Sequence, residues 1–235
     1  MKEKIKAKET NINKKKVIIF ILVVLALTIF ICFFIKNNYK NQNIGNNMSN
    51  KNIEEIEEYI LNISSYNATI EVEVQSNKNT NKYVLQQKCA EQNIKKQIVK
   101  EPSNIAGLET IYDGNNLKIN NTKLNLSTIY ENYPYVADNF LWIDSFIEDY
   151  KNAIEKGKQK IREEDEIIIM EVNNTEKSNK KLYIDKKSCK PIKMLIQDIN
   201  QNIIAYILYN EIEINSLKRD DVLAFKIQKI YIEQY

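Results

Sequence analysis

Residues 66–75 read YNATIEVEVQ, and this stretch decides the fold class of the chain. Its apolar side chains stand at every second position, from Tyr66 to Val74, and polar side chains fill the positions between them. A period of two is typical of a β-strand with one buried and one wet face, as in antiparallel sheets. Similar runs predict further strands at about 82–89, 92–99, 108–113, 117–120, 123–127, 167–172, 181–185, 191–198, 203–214 and 222–232.

Two helices are predicted among these strands. The first begins after Asn52, a residue suited to cap a helix, and carries an isoleucine every three or four residues from Ile53 to Ile63. The second fits residues 139–156, and Gly157 is suited to end it. Turns rich in asparagine, such as 113–116, join neighbouring strands.

These elements predict one α+β domain. A strongly curved antiparallel sheet of about ten or eleven strands carries two or three helices on its concave face. Two helices cover only part of so large a sheet, so we expect the sheet to curl and to keep an apolar hollow. Such a hollow is suited to bind lipid chains or the side chains of a partner.

The segment 129–150 is rich in aromatic residues and supplies the candidate binding residues. One interpretation makes them core filling, and the other makes them the rim or lid of the hollow, where tyrosine and tryptophan are common. Helical phase places Trp142, the single tryptophan of the chain, beside Phe146 and near the mouth of the hollow if the helix is a lid. The candidates are Tyr130, Tyr133, Tyr135, Phe140, Trp142 and Phe146.

The N-terminal region predicts a membrane anchor. Residues 17–35 form a run of nineteen residues without a charge, long enough to cross the ~30 Å hydrocarbon core as a helix. Residues 1–16 carry seven lysines and two glutamates, which predicts a cytosolic tail and an extracytoplasmic C-terminal domain. Residues 36–51, rich in asparagine, predict a flexible linker, and the domain occupies residues 52–235.

The cysteines raise two questions about processing and pairing. The bulky residues Ile29, Phe30 and Ile31 precede Cys32, whereas lipidation needs a small residue there. We therefore expect an uncleaved single-pass anchor, with cleavage or lipidation as alternatives. Cys89 and Cys189 lie on the predicted extracytoplasmic side, where a disulfide can persist, but their spacing leaves pairing open.

Composition excludes several classes of function. The chain has no histidine and only four glycines, so triad catalysis, imidazole metal sites and phosphate-binding glycine loops are absent. The positive charge is concentrated in the tail rather than in the folded part, so we expect no nucleic-acid partner. Neither a metal nor a cofactor is predicted. An enzyme would need a carboxylate pair from Asp144, Glu148 and Asp149, but a solvated helix face explains these carboxylates better.

Four stretches resemble the germination lipoprotein GerS family of spore-forming bacteria. They are SYNATIEVEVQSNKNTNKY at 65–83, the segment from KEPSNIAGLETIYDGNN to FIEDYK at 100–151, KLYIDKKSCKPIKMLIQD at 181–198 and IIAYILYNEIEINSL at 203–217. This family is similar in fold to the LolA/LolB lipoprotein carriers and to the RseB sensor domain. The resemblance implies an eleven-stranded half-barrel with a lidded hydrophobic concavity.

The resemblance also implies a function without catalysis. It indicates an extracytoplasmic module that binds an apolar ligand or a protein partner, and for GerS-type proteins the partner class is a cell-wall amidase in spore cortex processing and germination. This chain would carry a transmembrane anchor in place of the lipid, which favours local binding or scaffolding over shuttling. A lipid-binding or lipoprotein-binding carrier or sensor domain of the vegetative cell envelope is the alternative.

Overall fold

The computed structural model describes residues 51–76, 78–133, 140–173 and 178–223, which belong to one compact unit. The predicted cytosolic tail, the predicted span at 17–35 and nearly all of the predicted linker lie outside these residues. Within the described ranges, no helix combines the length and the hydropathy that a membrane crossing requires.

Eleven antiparallel strands form one curved, open sheet. The strands run in the spatial order β6-β5-β4-β3-β2-β1-β11-β10-β9-β8-β7, so two meanders meet where β1 pairs with β11. Their bounds are β1 Ser65–Gln75, β2 Thr80–Ala90, β3 Ile94–Glu101, β4 Leu108–Tyr112, β5 Leu117–Asn121, β6 Leu126–Tyr130, β7 Gln159–Glu164, β8 Ile167–Val172, β9 Asn179–Asp185, β10 Lys190–Gln197 and β11 Ile203–Ile214. The predicted antiparallel sheet of ten or eleven strands is confirmed.

Helix α1, Ile53–Leu61, begins where the sequence predicts it. The backbone N–H of Glu55 donates to the Asn52 side chain at 2.8 Å, and the N–H of Asn52 donates to the Glu55 carboxylate at 3.1 Å. This reciprocal pair satisfies two N–H groups that a helix start leaves without partners. Ile56 and Ile60 are buried, as the isoleucine spacing predicts.

Helix α2, Ile143–Glu155, lies on the sheet. The prediction of a helix at 139–156 is confirmed, with a later start. Its buried side chains include Ile143, Phe146 and Tyr150, and the Tyr66 hydroxyl on β1 accepts a hydrogen bond from the Ile143 N–H at 3.3 Å. Tyr66 therefore points to the side of the sheet that carries α2, which we call the helix-bearing face.

The prediction of a strand at 222–232 is wrong at its start. Arg219–Leu223 forms a short helix, α3, and the Asp221 carboxylate accepts from the Lys218 N–H at 2.8 Å. Val222 packs on Ala90 and Ile94. Ala90 follows Cys89, a residue of the helix-bearing face, so α3 lies on the opposite face. Residues 224–232 lie outside the described part of the chain.

Two strands near the edges differ from the sequence prediction. Strand β7 was not predicted, because four of its six residues are charged and the strand therefore shows no alternation of apolar and polar side chains. Strand β6 begins at Leu126 rather than at 123. The Asn121 side chain accepts from the N–H groups of Lys123 and Leu124 and holds that segment in a turn, as asparagine does in Asx turns.

Candidate functional site

The strand register places one residue from each of β1 to β6 in a single row on the helix-bearing face. Side chains that are directly opposite in an antiparallel pair share a face. The row consists of Tyr66, Cys89, Lys95, Tyr112, Leu117 and Tyr130. Exposure rises along it, from 1% at Tyr66 through 8% at Tyr112 to 47% at Tyr130. The helix-bearing face is therefore covered near β1 and uncovered at β6.

The covered part is packed with aromatic side chains. Trp142, just before α2, is buried, and its ring centroid lies 6.3 Å from that of Tyr66. Phe146 is fully buried, with its ring centroid 5.7 Å from that of Tyr150. These two predicted binding residues lie in the interior, where they pack α2 onto the sheet.

Two buried lysines hold α2 from opposite halves of the sheet. Lys95 on β3 pairs with Asp144, and its ammonium nitrogen lies 5.3 Å from the centroid of the Trp142 ring. Lys180 on β9 pairs with Asp149 at 2.5 Å and donates to the Ser145 hydroxyl at 3.0 Å. Breaking either pair would leave a buried charge without its counter-ion, which is costly. The two pairs therefore favour the orientation of α2 in which both are formed.

The ionisable groups of this interior are poorly suited to catalysis. Burial raises the pKa of the Asp144 carboxyl even though Lys95 lies beside it. Burial also raises the pKa of the Cys89 thiol to about 12, so this cysteine is a weak nucleophile at neutral pH. Cys89 and Cys189 are both buried as free thiols, and no disulfide joins them. Within the described ranges no three Cys, Asp or Glu side chains are grouped to hold a metal.

The uncovered part begins at β5 and β6. All five residues of β6 are exposed, and large apolar side chains dominate this region. Leu124 is 64% exposed, Leu126 63% and Ile129 58%, with Tyr130 beside them. We call Leu124, Leu126, Ile129 and Tyr130 the apolar edge. Half-buried Leu117 and Ile119 continue this apolar surface onto β5.

The six sequence-predicted residues do not share one location. Tyr130 and Tyr133 lie together at the apolar edge, with ring centroids 6.2 Å apart, and the Tyr133 N–H donates to the Asn115 carbonyl at 2.8 Å. Phe140 is half-buried, Trp142 and Phe146 are buried, and Tyr135 lies outside the described residues.

Sequence reasoning missed three members of the apolar edge: Leu124, Leu126 and Ile129. The available signal was a run from Leu124 to Tyr130 that has three aliphatic residues and no charge. The same run also fits an ordinary half-buried strand, and the sequence pattern does not distinguish the two.

Comparisons with known proteins identify similar folds at low identity. No family model matches the chain, and no curated protein matches it. An uncharacterized conserved protein from Thermus thermophilus is 11% identical over 74% of this chain and 94% of that one, with a TM-score of 0.48. A chain from the complex of the CwlD amidase of Clostridioides difficile with the GerS lipoprotein is 22% identical over 70% of this chain and 96% of that one, with a TM-score of 0.42. The LolA superfamily protein NE2245 from Nitrosomonas europaea is 9% identical over 74% and 98%, with a TM-score of 0.39. At these identities and TM-scores the likenesses assign neither a family nor a function.

Proposed function

We propose that residues 52–235 form a non-enzymatic binding and scaffold module that holds a protein partner on the uncovered apolar surface of β5 and β6. The observation that carries this proposal is the apolar edge, in which four large apolar side chains are exposed within seven residues. Single exposed apolar residues are normal on a soluble domain, whereas a contiguous patch of them marks an interaction site. Leu126 and Tyr130 form such a patch with Leu117 and Ile119 on the helix-bearing face.

The interior supports a binding role rather than a catalytic one. Two of the three carboxylates that could serve a hydrolase, Asp144 and Asp149, are ion-paired with buried lysines. The third, Glu148, is exposed on the outer side of α2. A glycosidase needs two carboxyl groups that face one substrate across a cleft, and these three side chains do not offer that arrangement.

The proposed partner class is a cell-wall amidase, in spore cortex processing or germination. The sequence stretches that resemble the GerS family support it, because they span most of the domain and include the β4–β5 turn and the apolar edge. A second candidate is a lipid or lipoprotein carrier or sensor domain. It is favoured by the position of Leu117, Ile119 and Tyr130 on the helix-bearing face, where they could line an acyl chain.

The proposed location is the outer side of the cell membrane, with residues 17–35 as the anchor and residues 1–16 in the cytosol. A cysteine placed at Asn46 should react with an impermeant maleimide in intact cells, and one placed at Asn11 should react only after permeabilisation. Cys89 and Cys189 are buried and give little background. The reverse labelling pattern would reject this topology.

Photo-cross-linking tests the binding surface. The full-length protein carries benzoylphenylalanine at Tyr130 in sporulating and in vegetative cells of the source organism, and cross-linked proteins are identified by mass spectrometry. The control carries the same group at Ile199, which is also exposed but lies in the β10–β11 turn. We expect an amidase cross-linked from Tyr130 and not from Ile199. Equal products from both positions, or none from Tyr130, would reject the proposed surface.

A further inference from the structure

We infer that β6 receives an extended, uncharged segment of the protein partner as a twelfth strand of the sheet. This inference rests on the proposed function and adds the geometry by which the partner is held. It concerns the backbone of β6, whereas the binding surface described above is defined by side chains.

The hydrogen-bond pattern of β4 and β5 shows which β6 groups face outward. The Asp113 N–H donates to the Asn116 carbonyl and the Thr122 N–H to the Gly107 carbonyl. Bonded and non-bonded pairs alternate along an antiparallel ladder, so Lys118 and Asn120 bond to β4, whereas Leu117, Ile119 and Asn121 face β6. In the β5–β6 register their partners are Tyr130, Thr128 and Leu126.

The two remaining β6 residues, Ser127 and Ile129, therefore direct their N–H and C=O groups away from the sheet. An antiparallel or parallel strand laid along β6 would bond to these two residues. Main-chain bonds of this kind provide affinity in strand addition, and side chains at alternate positions provide specificity.

Within the described part of the chain, charged side chains protect the opposite edge of the sheet against strand addition, and β6 carries no such side chain. Strand β7 has four charged residues, and ion pairs join Arg162 to Glu164 at 2.7 Å and Lys186 to Glu163. Charged side chains of this kind are the usual protection of an exposed edge. Strand β6, Leu-Ser-Thr-Ile-Tyr, has no charge and no proline. The contrast marks β6 as an edge that is kept available.

The size and chemistry of the edge indicate a strand rather than a second globular surface. At their observed exposures the four side chains of the apolar edge present roughly 400 Å². Two such patches would bury about 800 Å², below the ~1,200 Å² of a stable interface between two copies. An extended segment instead contacts Leu126 and Tyr130 on one face of the sheet and Ile129 on the other. The segment that fits has apolar residues at alternate positions.

A peptide probe tests the inference on the full-length protein in lipid nanodiscs. The probe is acetyl-Lys-Thr-Val-Thr-Ile-Thr-Val-Lys-amide, in which the six residues between the terminal lysines form the uncharged segment. The control peptide has proline at its two central positions. Hydrogen exchange is measured by NMR at single amides. We expect saturating probe to slow exchange at Ser127 and Ile129 at least tenfold and to leave Thr128 unchanged, because Thr128 already bonds to β5. The control peptide should have no effect.

Two variants separate backbone pairing from side-chain contact. Ser127→Pro removes an outward N–H that would bond to the probe and should therefore weaken probe binding at least tenfold. The variant should still fold, because proline is tolerated at an edge position whose N–H faces solvent. Ser127→Ala keeps the N–H and should bind as the wild type does. Ile129→Lys places a charge on the edge, as on β7, and should weaken binding even if the proline variant folds poorly.

Several outcomes would overturn the inference. They are absence of probe binding at millimolar concentration, protection of consecutive amides, or equal binding by Ser127→Pro. Protection of the Ser127 and Ile129 amides before probe is added would indicate that another segment already occupies the edge. If truncation after Leu223 removes this protection, the occupant is residues 224–235. If dilution removes it, the occupant is a second copy of the chain. If Ser127→Pro still cross-links to the partner from Tyr130, strand addition fails while the proposed function stands.

Discussion

The two ends of the helix-bearing face are made from one row of side chains but differ in what covers them. Near β1 the row lies beneath α2 and is buried, whereas at β6 it is open to solvent. Helix α2 has thirteen residues, a length of about 20 Å, which spans roughly four strands at ~4.8 Å each. A helix of this length cannot cover eleven strands. The core and the candidate binding surface are both apolar, and they differ in whether a helix packs over the sheet.

The largest expected effect tests the covered end. Phe146→Ala removes a fully buried ring from α2 and should lower the free energy of unfolding by about 3–5 kcal/mol. Urea unfolding of the full-length protein, followed by the fluorescence of Trp142, measures this loss. A loss below about 1 kcal/mol would mean that α2 is not packed on the sheet in solution.

The next effect concerns the buried ion pair at the same end. Lys95→Met leaves the Asp144 carboxylate buried without its nearest cation and should lower the free energy of unfolding at pH 7 by about 3 kcal/mol. Burial already raises the pKa of Asp144 above its unfolded value, so the favourable contribution of this carboxyl is present below the unfolded pKa and is lost as pH rises through the folded one.

The difference between Lys95→Met and the wild type should therefore shrink as pH is lowered and Asp144 becomes protonated. Urea unfolding at pH 7 and at pH 4 measures the change. The double variant Lys95→Met/Asp144→Leu is the control and should show little pH dependence of this difference. A constant difference for Lys95→Met across both pH values would contradict the assignment of the pair.

A smaller effect separates two tyrosines that lie at opposite ends of the comparison. The Tyr150 hydroxyl donates to the Glu57 carboxylate at 2.7 Å and ties α2 to α1. Tyr150→Phe should lower the free energy of unfolding by about 1 kcal/mol. The matched variant Tyr130→Phe, at the apolar edge, should leave it unchanged. Equal effects from the two variants would remove the distinction between the covered and uncovered ends.

The smallest effect on stability belongs to the uncovered end. Tyr130→Ala should change the free energy of unfolding by no more than about 0.5 kcal/mol, as is usual for exposed positions. The same variant should bind the peptide probe at least fivefold more weakly. Calorimetric titration of the probe measures the second effect. A variant that is destabilised well beyond this value and still binds the probe normally would show that Tyr130 is structural.

Much of the fold could be predicted because its signals are local. The alternation in β1 and the cap at Asn52 depend only on neighbouring residues, and both are confirmed. The short helix at Arg219 was missed because its burial depends on Ala90 and Ile94, more than a hundred residues away. Strand β7 was missed because its charges are paired with other residues, among them Lys186.

The candidate site was harder to predict than the fold. The sequence identified the aromatic segment but not which of its residues are covered. Helical phase shows which side chains share a face of the helix, but it does not show which other element packs against that face. Trp142 contacts Tyr66, a residue 76 positions earlier in the chain. Tyr130 is open because β6 is the last of the described strands on its side of the sheet, and strand order follows from the whole topology.

The pairing of β1 with β11 has a consequence for how fast the chain folds. Every other pair among the eleven described strands joins neighbours in sequence, so each meander can form from local contacts. The central pair instead joins residues such as Tyr66 and Ile214, and contacts this distant in sequence slow folding because a long loop must close first. We expect the joining of the two meanders to be the rate-limiting step, with Ile70 and Ile207 exposed to water until it occurs.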